Sequence, residues 1–171
     1  MKVKLTNQQF IRIITEQGVY QNVINQVLGV LLMTGLTSGK SHDEQVNYFS
    51  KGLVDGKVYG FRYTDIKGLL KSIKENPPMS VVLYSAGAQY ADTVANAMED
   101  KSKLKIIEPY YKKGGTTARA VQSAVNSGVP STNVQVHHTK YSRGYGIVDN
   151  PTYTPEGINH FEALEYAGTN L

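Results

Sequence analysis

Apolar residues along this chain fall into two alternating kinds of run. Continuous runs such as Leu28 to Met33 and Ser80 to Tyr84 are typical of strands buried on both faces of a sheet. Between them, apolar positions recur at helical spacing, as in Ile66, Leu69 and Ile73. This alternation predicts right-handed β-α-β crossovers, and therefore an α/β fold with a single mainly parallel sheet that carries helices on both faces.

The same pattern sets the expected element boundaries. Strands are predicted over residues 28–33, 57–63, 80–84, 104–108 and 133–138. Helices are predicted over about 42–53, 65–76, 86–98, 116–127 and 155–166, with a further short amphipathic helix between Thr6 and Gly18. Ser41 and Glu44 have the spacing of a capping box, which favours a helix start at residue 42.

Composition narrows the class of protein. The 171 residues suit one domain over 1–171, and 40% hydrophobic with 19% charged residues is outside the range of disordered chains. The chain has no cysteine, which excludes disulfides, cysteine-zinc sites and a thiol nucleophile. The formal net charge of +4 comes from scattered lysines rather than a basic tail, so it favours solubility over a specific partner.

No feature predicts export or a membrane span. Met1 to Phe10 lacks the order of charged and apolar residues that marks a signal peptide, and the apolar stretch Val27 to Met33 is far shorter than the roughly 20 residues that span a bilayer. We expect a cytoplasmic or virion-associated protein. Tyrosines interleaved with lysines near residues 110–113 are interpreted as surface residues, so nucleic acid is not an expected partner. No cofactor and no metal are expected.

The most informative segment is Val81-Val82-Leu83-Tyr84-Ser85-Ala86-Gly87-Ala88, in which an apolar strand runs through Ser-x-Gly into an alanine-rich helix. A sharp turn of this kind lifts a serine oxygen clear of a sheet. The segment resembles the nucleophile elbow of the α/β-hydrolase family, including its cutinase-like and phage lysin-like esterase members. Leu83 stands where that family usually has glycine, and we expect it to crowd the turn.

The order of the elements upstream is also similar to that family. The strand ending in Met33-Thr34-Gly35-Leu36 lies where α/β-hydrolases place the strand whose following amide completes the oxyanion hole. The resemblance therefore implies that the backbone N–H groups of Leu36 and Ala86 stabilise the oxyanion.

The resemblance also implies a general base and an acid. The family takes its histidine from the last loop before a terminal helix, where His160 lies. The acid usually follows the strand assigned here to 133–138, which makes Asp149 the first choice and Glu108, at the end of the preceding strand, the second. The implied reaction is acyl hydrolysis of a small ester or acylated substrate by Ser85, His160 and Asp149.

Two other functions remain open. The first is a non-catalytic descendant of the same fold that binds protein partners in a larger assembly such as a virion. The second is a phosphate- or nucleotide-binding protein, because residues 35–41 (Gly-Leu-Thr-Ser-Gly-Lys-Ser) follow an apolar strand as a P-loop does, although the glycine spacing is one residue short.

Overall fold

The computed structural model describes residues 29–36, 39–54, 56–75, 78–110, 115–138 and 146–171. These ranges contain six strands: β1 (Gly29–Met33), β2 (Lys57–Phe61), β3 (Ser80–Tyr84), β4 (Leu104–Ile107), β5 (Val134–Val136) and β6 (Thr152–Tyr153). The described residues contain five α-helices: α1 (His42–Gly52), α2 (Ile66–Glu75), α3 (Ala91–Ala97), α4 (Thr116–Asn126) and α5 (Glu162–Thr169). The helix predicted between Thr6 and Gly18 lies outside the described residues.

The six strands form one sheet in the order β2-β1-β3-β4-β5-β6, and every neighbouring pair is parallel. The chain leaves β1 toward β2 on one side and then crosses to β3 on the other side. The strand order therefore reverses between β1 and β3, and such a point opens a crevice beyond the carboxyl ends of the strands. Ser85 follows β3 directly, and Gly35 lies two residues after the end of β1.

Both faces of the sheet are covered, because successive strand residues point in opposite directions. On β3, Val81 and Leu83 belong to a cluster that includes apolar residues of α2, α3 and α4. Val82 and Tyr84 belong to a second cluster that includes residues of α1 and α5. The predicted α/β fold, with one parallel sheet between two helical layers, is confirmed.

The helices begin where the sequence supplies capping groups. At α1 the Ser41 hydroxyl accepts from the Glu44 N–H over 3.2 Å, and the Glu44 carboxylate accepts from the Ser41 N–H over 2.8 Å. At α2 the Asp65 carboxylate accepts from the Gly68 N–H over 3.0 Å. The predicted capping box and the predicted start of α2 are confirmed.

The structure differs from the prediction at several points, and strands β2 and β5 are shorter than predicted, ending at Phe61 and Val136. The helix predicted over 86–98 begins as a 3₁₀ segment, Ser85–Tyr90, and becomes α-helical only at Ala91. Strand β6 was not predicted, because two residues carry no periodic signal. The last helix begins at Glu162 instead of about 155, since Asn159 Oδ1 accepts from the N–H groups of Phe161 and Glu162.

Helices α1 and α5 lie in close backbone contact. A Cβ atom added at Gly168 would lie 2.6 Å from the Phe49 carbonyl oxygen, and one added at Gly52 would overlap the Glu165 carbonyl oxygen. Only glycine permits this approach, so these two positions fix how α5 sits on the sheet.

Candidate active site

Ser85 occupies a strained position at the carboxyl end of β3. Its φ is 52°, in the left-handed region that a residue with a Cβ adopts at a cost, and its side chain is buried, with 4% of the residue exposed. Its carbonyl oxygen accepts from the Tyr110 N–H over 3.0 Å, which ties the turn to the segment that follows β4. The chain therefore makes a sharp change of direction at this serine.

Two glycines make room for the turn. A Cβ atom at Gly35 would lie 2.7 Å from Ser85 Cβ and 3.1 Å from Ser85 Oγ. A Cβ atom at Gly87 would lie 2.9 Å from Met33 Cγ and 3.0 Å from the Met33 carbonyl oxygen. The shorter separation at each position, 2.7 Å at Gly35 and 2.9 Å at Gly87, is closer than real Cβ contacts, so glycine at both positions favours the close approach of the ends of β1 and β3.

Leu83 is accommodated without disrupting the turn. It is fully buried, with 0% exposed, in the same cluster as the small residues Ala88 and Ala91. Alanine side chains after the turn leave volume that a leucine can fill. Ser85 still adopts its left-handed conformation beside Leu83.

A buried carboxylate and a histidine form the polar centre of the site. Glu108, the residue after β4, is 0% exposed, and its Oε2 lies 2.6 Å from His160 Nδ1. A bond this short to a buried carboxylate is charge-assisted when the ring is protonated. Glu108 therefore engages the ring of His160 through Nδ1.

Tyr84 holds the same histidine from the side. Its hydroxyl donates to the His160 carbonyl oxygen over 2.8 Å, and the two rings stack with their centroids 4.6 Å apart. His160 also lies within the turn that Asn159 caps at the start of α5. The residue before Ser85 therefore fixes both the backbone and the ring of the histidine.

Asp149, the first choice for the acid, does not lie beside His160. It is exposed and precedes β6, whereas His160 follows β6. Since β6 is parallel to the other strands, Asp149 lies at the amino edge of the sheet, opposite the carboxyl edge that carries Ser85 and Glu108. The structure pairs His160 with Glu108, the second choice.

Tyr84 connects the serine and the histidine, since Ser85 follows it in the chain and the His160 ring stacks on the Tyr84 ring. Among the hydrogen bonds of the described residues, none links Ser85 Oγ to the His160 ring. Catalytic hydrogen bonds are often long or misaligned in an unliganded site and tighten when substrate binds.

The proposed oxyanion donors follow the two strands at the crevice. Leu36 comes directly after Gly35, whose N–H donates to Gln45 Oε1 over 2.9 Å, while the Leu36 carbonyl accepts from Gln45 Nε2 over 3.1 Å. Gln45 thus fixes the backbone on both sides of the Leu36 N–H. Ala86 lies in the first turn of the 3₁₀ segment, where N–H groups have no partner within the helix.

Polar groups of the loop proposed for phosphate binding already form hydrogen bonds or ion pairs within the protein. Lys40 Nζ lies 3.4 Å from Glu44 Oε1, and Ser41 caps α1. The Gly35 N–H is taken by Gln45. These contacts leave the described part of the loop with fewer donors aimed at an anion than a P-loop provides.

The other described histidines have contacts of their own. His42 Nδ1 lies 2.9 Å from Thr34 Oγ1. His137 and His138 stack with centroids 4.3 Å apart, which is possible because β5 ends at Val136 and the strand alternation stops there. Within the described ranges, no group of three or more potential ligand side chains could hold a metal ion, and no helix is long and apolar enough to cross a membrane.

Two buried polar side chains near Glu108, those of Gln135 and Thr154, were not singled out by the sequence prediction. Both are buried beside Glu108. The signal for Gln135 was a polar residue between two valines of a buried strand. Thr154 gave no signal, because it follows the unpredicted β6. Comparison with protein-family models, curated proteins and solved structures gave no match.

Proposed function

We propose that this protein is a small serine hydrolase of the α/β-hydrolase type that cleaves carboxylic esters, with Ser85 as nucleophile, His160 as general base and Glu108 as the acid that orients the base. The observation that carries the proposal is the pair of buried Glu108 and partly buried His160, joined over 2.6 Å at the sheet edge where Ser85 is held at φ 52°. Strain at a turn and a buried carboxylate each carry an energetic cost, and both are typical of catalytic sites.

In the reaction, the Ser85 hydroxyl oxygen attacks the ester carbonyl carbon while His160 Nε2 takes the hydroxyl proton. The N–H groups of Leu36 and Ala86 stabilise the negative oxygen that forms, and collapse of the intermediate expels the alcohol with the proton from His160. Water then repeats the sequence on the acyl-serine and releases the acid. Glu108 stabilises the imidazolium at both stages.

The surroundings of Ser85 favour a substrate with an apolar part. Leu36 is 41% exposed directly after Gly35, and Tyr110, whose N–H bonds to the Ser85 carbonyl, is 50% exposed. Exposed apolar side chains in two segments that contact Ser85 can meet an acyl chain or an aromatic leaving group. Small or polymer-attached acyl esters are therefore the proposed substrates.

A fluorophosphonate probe tests this proposal, since it modifies only an activated serine. We expect mass spectrometry to find the label on Ser85, and to find none on Ser85→Ala protein. Ser50→Ala is the matched control, because Ser50 lies on α1 and its hydroxyl donates to the Val46 carbonyl; this variant should label like the wild type. A folded wild-type protein that takes up no label at Ser85 contradicts the proposal.

The second candidate function is a non-catalytic module in a larger assembly. The observation that favours it is the lack of a direct hydrogen bond between Ser85 Oγ and the His160 ring among the described residues. Under this function, Ser85→Ala leaves assembly and biological activity unchanged, and the probe labels nothing.

A further inference from the structure

Behind His160, three buried polar side chains form a continuous chain of hydrogen bonds. Gln135 Nε2 donates to Thr154 Oγ1 over 3.0 Å, and Thr154 Oγ1 donates to Glu108 Oε1 over 2.8 Å. Thr154 and Glu108 are 0% exposed and Gln135 is 5% exposed. Burying three polar side chains costs free energy unless each one has a hydrogen-bond partner. The chain of hydrogen bonds ends at His160, so we expect the role of the three side chains to lie in their effect on this histidine.

Chemistry fixes the direction of every bond in this chain. An amide NH₂ group can only donate and an ionised carboxylate can only accept, so the hydroxyl between them accepts from Gln135 and donates to Glu108. The Gln135 NH₂ group also faces the Ala163 carbonyl oxygen at 3.5 Å, which requires a donor at that position. Glu108 therefore has one oxygen occupied by Thr154, and its other oxygen faces His160 Nδ1.

We infer that Thr154 and Gln135 are positioning residues of the proposed hydrolase, which keep Glu108 oriented as an acceptor so that neutral His160 carries its proton on Nδ1 and its lone pair on Nε2. This inference rests on the proposed function, because a general base needs that lone pair. Neither residue contacts the reacting atoms in this scheme. Their effect passes through Glu108.

The backbone strengthens the same arrangement. The Glu108 N–H donates to the Gln135 carbonyl over 2.7 Å, and the Thr154 N–H donates to the Val136 carbonyl over 2.8 Å. Glu108 itself is held at φ 41°, a conformation that turns its side chain away from the continuing strand direction. Gln135 lies in β5, while Glu108 and Thr154 directly follow β4 and β6. Three neighbouring strands therefore position the three side chains of this network.

Thr154→Val tests the inference, because it removes the hydroxyl and keeps the shape. We expect kcat on p-nitrophenyl butyrate to fall about 10-fold or more while KM changes less than twofold, since substrate contacts are unaltered and only the orientation of the base is disturbed. Thr154→Ser retains the hydroxyl and should restore kcat to near the wild-type value. Thr152→Val is the matched control, since Thr152 also lies in β6 and its hydroxyl bonds to the Thr132 carbonyl over 2.6 Å.

A second readout does not depend on turnover. The proton on His160 Nδ1 should give a downfield NMR resonance, identified by its loss in His160→Gln. It should remain in place in Thr154→Ser and Thr152→Val protein, and should shift or broaden in Thr154→Val. If Thr154→Val does not fold, Gln135→Met, which frees the Thr154 hydroxyl to rotate, should change kcat and the resonance in the same direction.

The outcomes separate the two proposals. A wild-type protein without esterase activity contradicts the proposed function, while the resonance still decides the role of Thr154. A resonance and a kcat that are unchanged in folded Thr154→Val or Gln135→Met protein overturn the inference. Equal impairment of Thr154→Ser and Thr154→Val overturns it as well, because the hydroxyl would then not be the group that matters.

Discussion

Replacing Glu108 by glutamine is the sharpest test of the acid. The amide has the shape of the carboxylate, and its oxygen can still accept from Thr154, so its NH₂ group would face His160 Nδ1. Nδ1 must then accept a hydrogen bond, which moves the ring proton to Nε2. A ring in that tautomer cannot take a proton from Ser85, and the imidazolium that forms during the reaction has no counter-charge.

The expected loss follows from the geometry of the pair. At 2.6 Å and an effective dielectric constant of about 20, a carboxylate and an imidazolium attract by about 6 kcal/mol before other changes offset part of it. Each 1.36 kcal/mol of transition-state stabilisation is about tenfold in rate. We therefore expect kcat/KM to fall by about 1,000- to 10,000-fold, the size seen when the acid of a serine protease triad becomes an amide.

The assay is hydrolysis of p-nitrophenyl butyrate by wild-type, Glu108→Gln and Asp149→Asn protein, with Ser85→Ala giving the background rate and circular dichroism checking the fold. Asp149→Asn is the matched control, since this exposed carboxylate lies at the opposite edge of the sheet. Its kcat/KM should stay within twofold of the wild type. A folded Glu108→Gln variant that keeps more than a tenth of the activity, or an equal loss in Asp149→Asn, refutes the assignment of the acid.

Three further predictions follow from other contacts. Gly35→Ala should abolish fluorophosphonate labelling in a protein that is still folded by circular dichroism, because the new Cβ would lie 2.7 Å from Ser85 Cβ; normal labelling would contradict this. Tyr84→Phe keeps the ring stack but removes the bond to the His160 carbonyl, so urea unfolding should show a loss of about 1 kcal/mol with a lower kcat; unchanged stability and kcat would show that the bond is unimportant. The pKa of Glu44 is held below its usual value, chiefly by the N–H of Ser41 and then by its hydroxyl. The stabilisation from this carboxylate is therefore complete above its ordinary pKa and is lost as the pH falls through the lowered pKa. Between pH 7 and about pH 3, the free energy of unfolding should fall less in the Glu44→Gln variant than in the wild type. An equal fall in the two proteins would contradict this prediction.

Much of the fold could be predicted because central strands such as β1 and β3 are buried on both faces. A short, continuous apolar run such as residues 80–84 predicts a buried strand, and the observed bounds of β3 match that prediction. The capping box at Ser41 is equally local, since both of its partners lie within one turn. Signals of this kind need no knowledge of distant residues.

The acid could not be assigned from the sequence, because the choice between Asp149 and Glu108 depended on a strand of two residues. Without β6, Asp149 counts as part of the loop that leaves β5 at the carboxyl edge. With β6, it becomes the residue before a strand and lies at the amino edge. Whether this one short strand is recognised therefore decides at which edge of the sheet Asp149 is predicted to lie.

The 3₁₀ segment Ser85–Tyr90 could not be predicted from the sequence for a different reason. Its sequence, Ser-Ala-Gly-Ala-Gln-Tyr, has ordinary helix formers, and α-helix was the simplest prediction. The structure places Gly87 against Met33 and Ser85 against Gly35. Tertiary contacts of this kind at the ends of β1 and β3 are not visible in local sequence.

The glycine contact between α1 and α5 has a consequence for how variants of this protein should be interpreted. His160 lies just before α5, and α5 is seated on α1 through Gly52 and Gly168. A larger residue at Gly168 would push α5 outward and carry the base away from Ser85 while leaving the elbow intact. Such a variant would lose activity in a screen although the changed residue is not one of the proposed catalytic residues. It would show separately how activity depends on the position of His160 and on the conformation of Ser85.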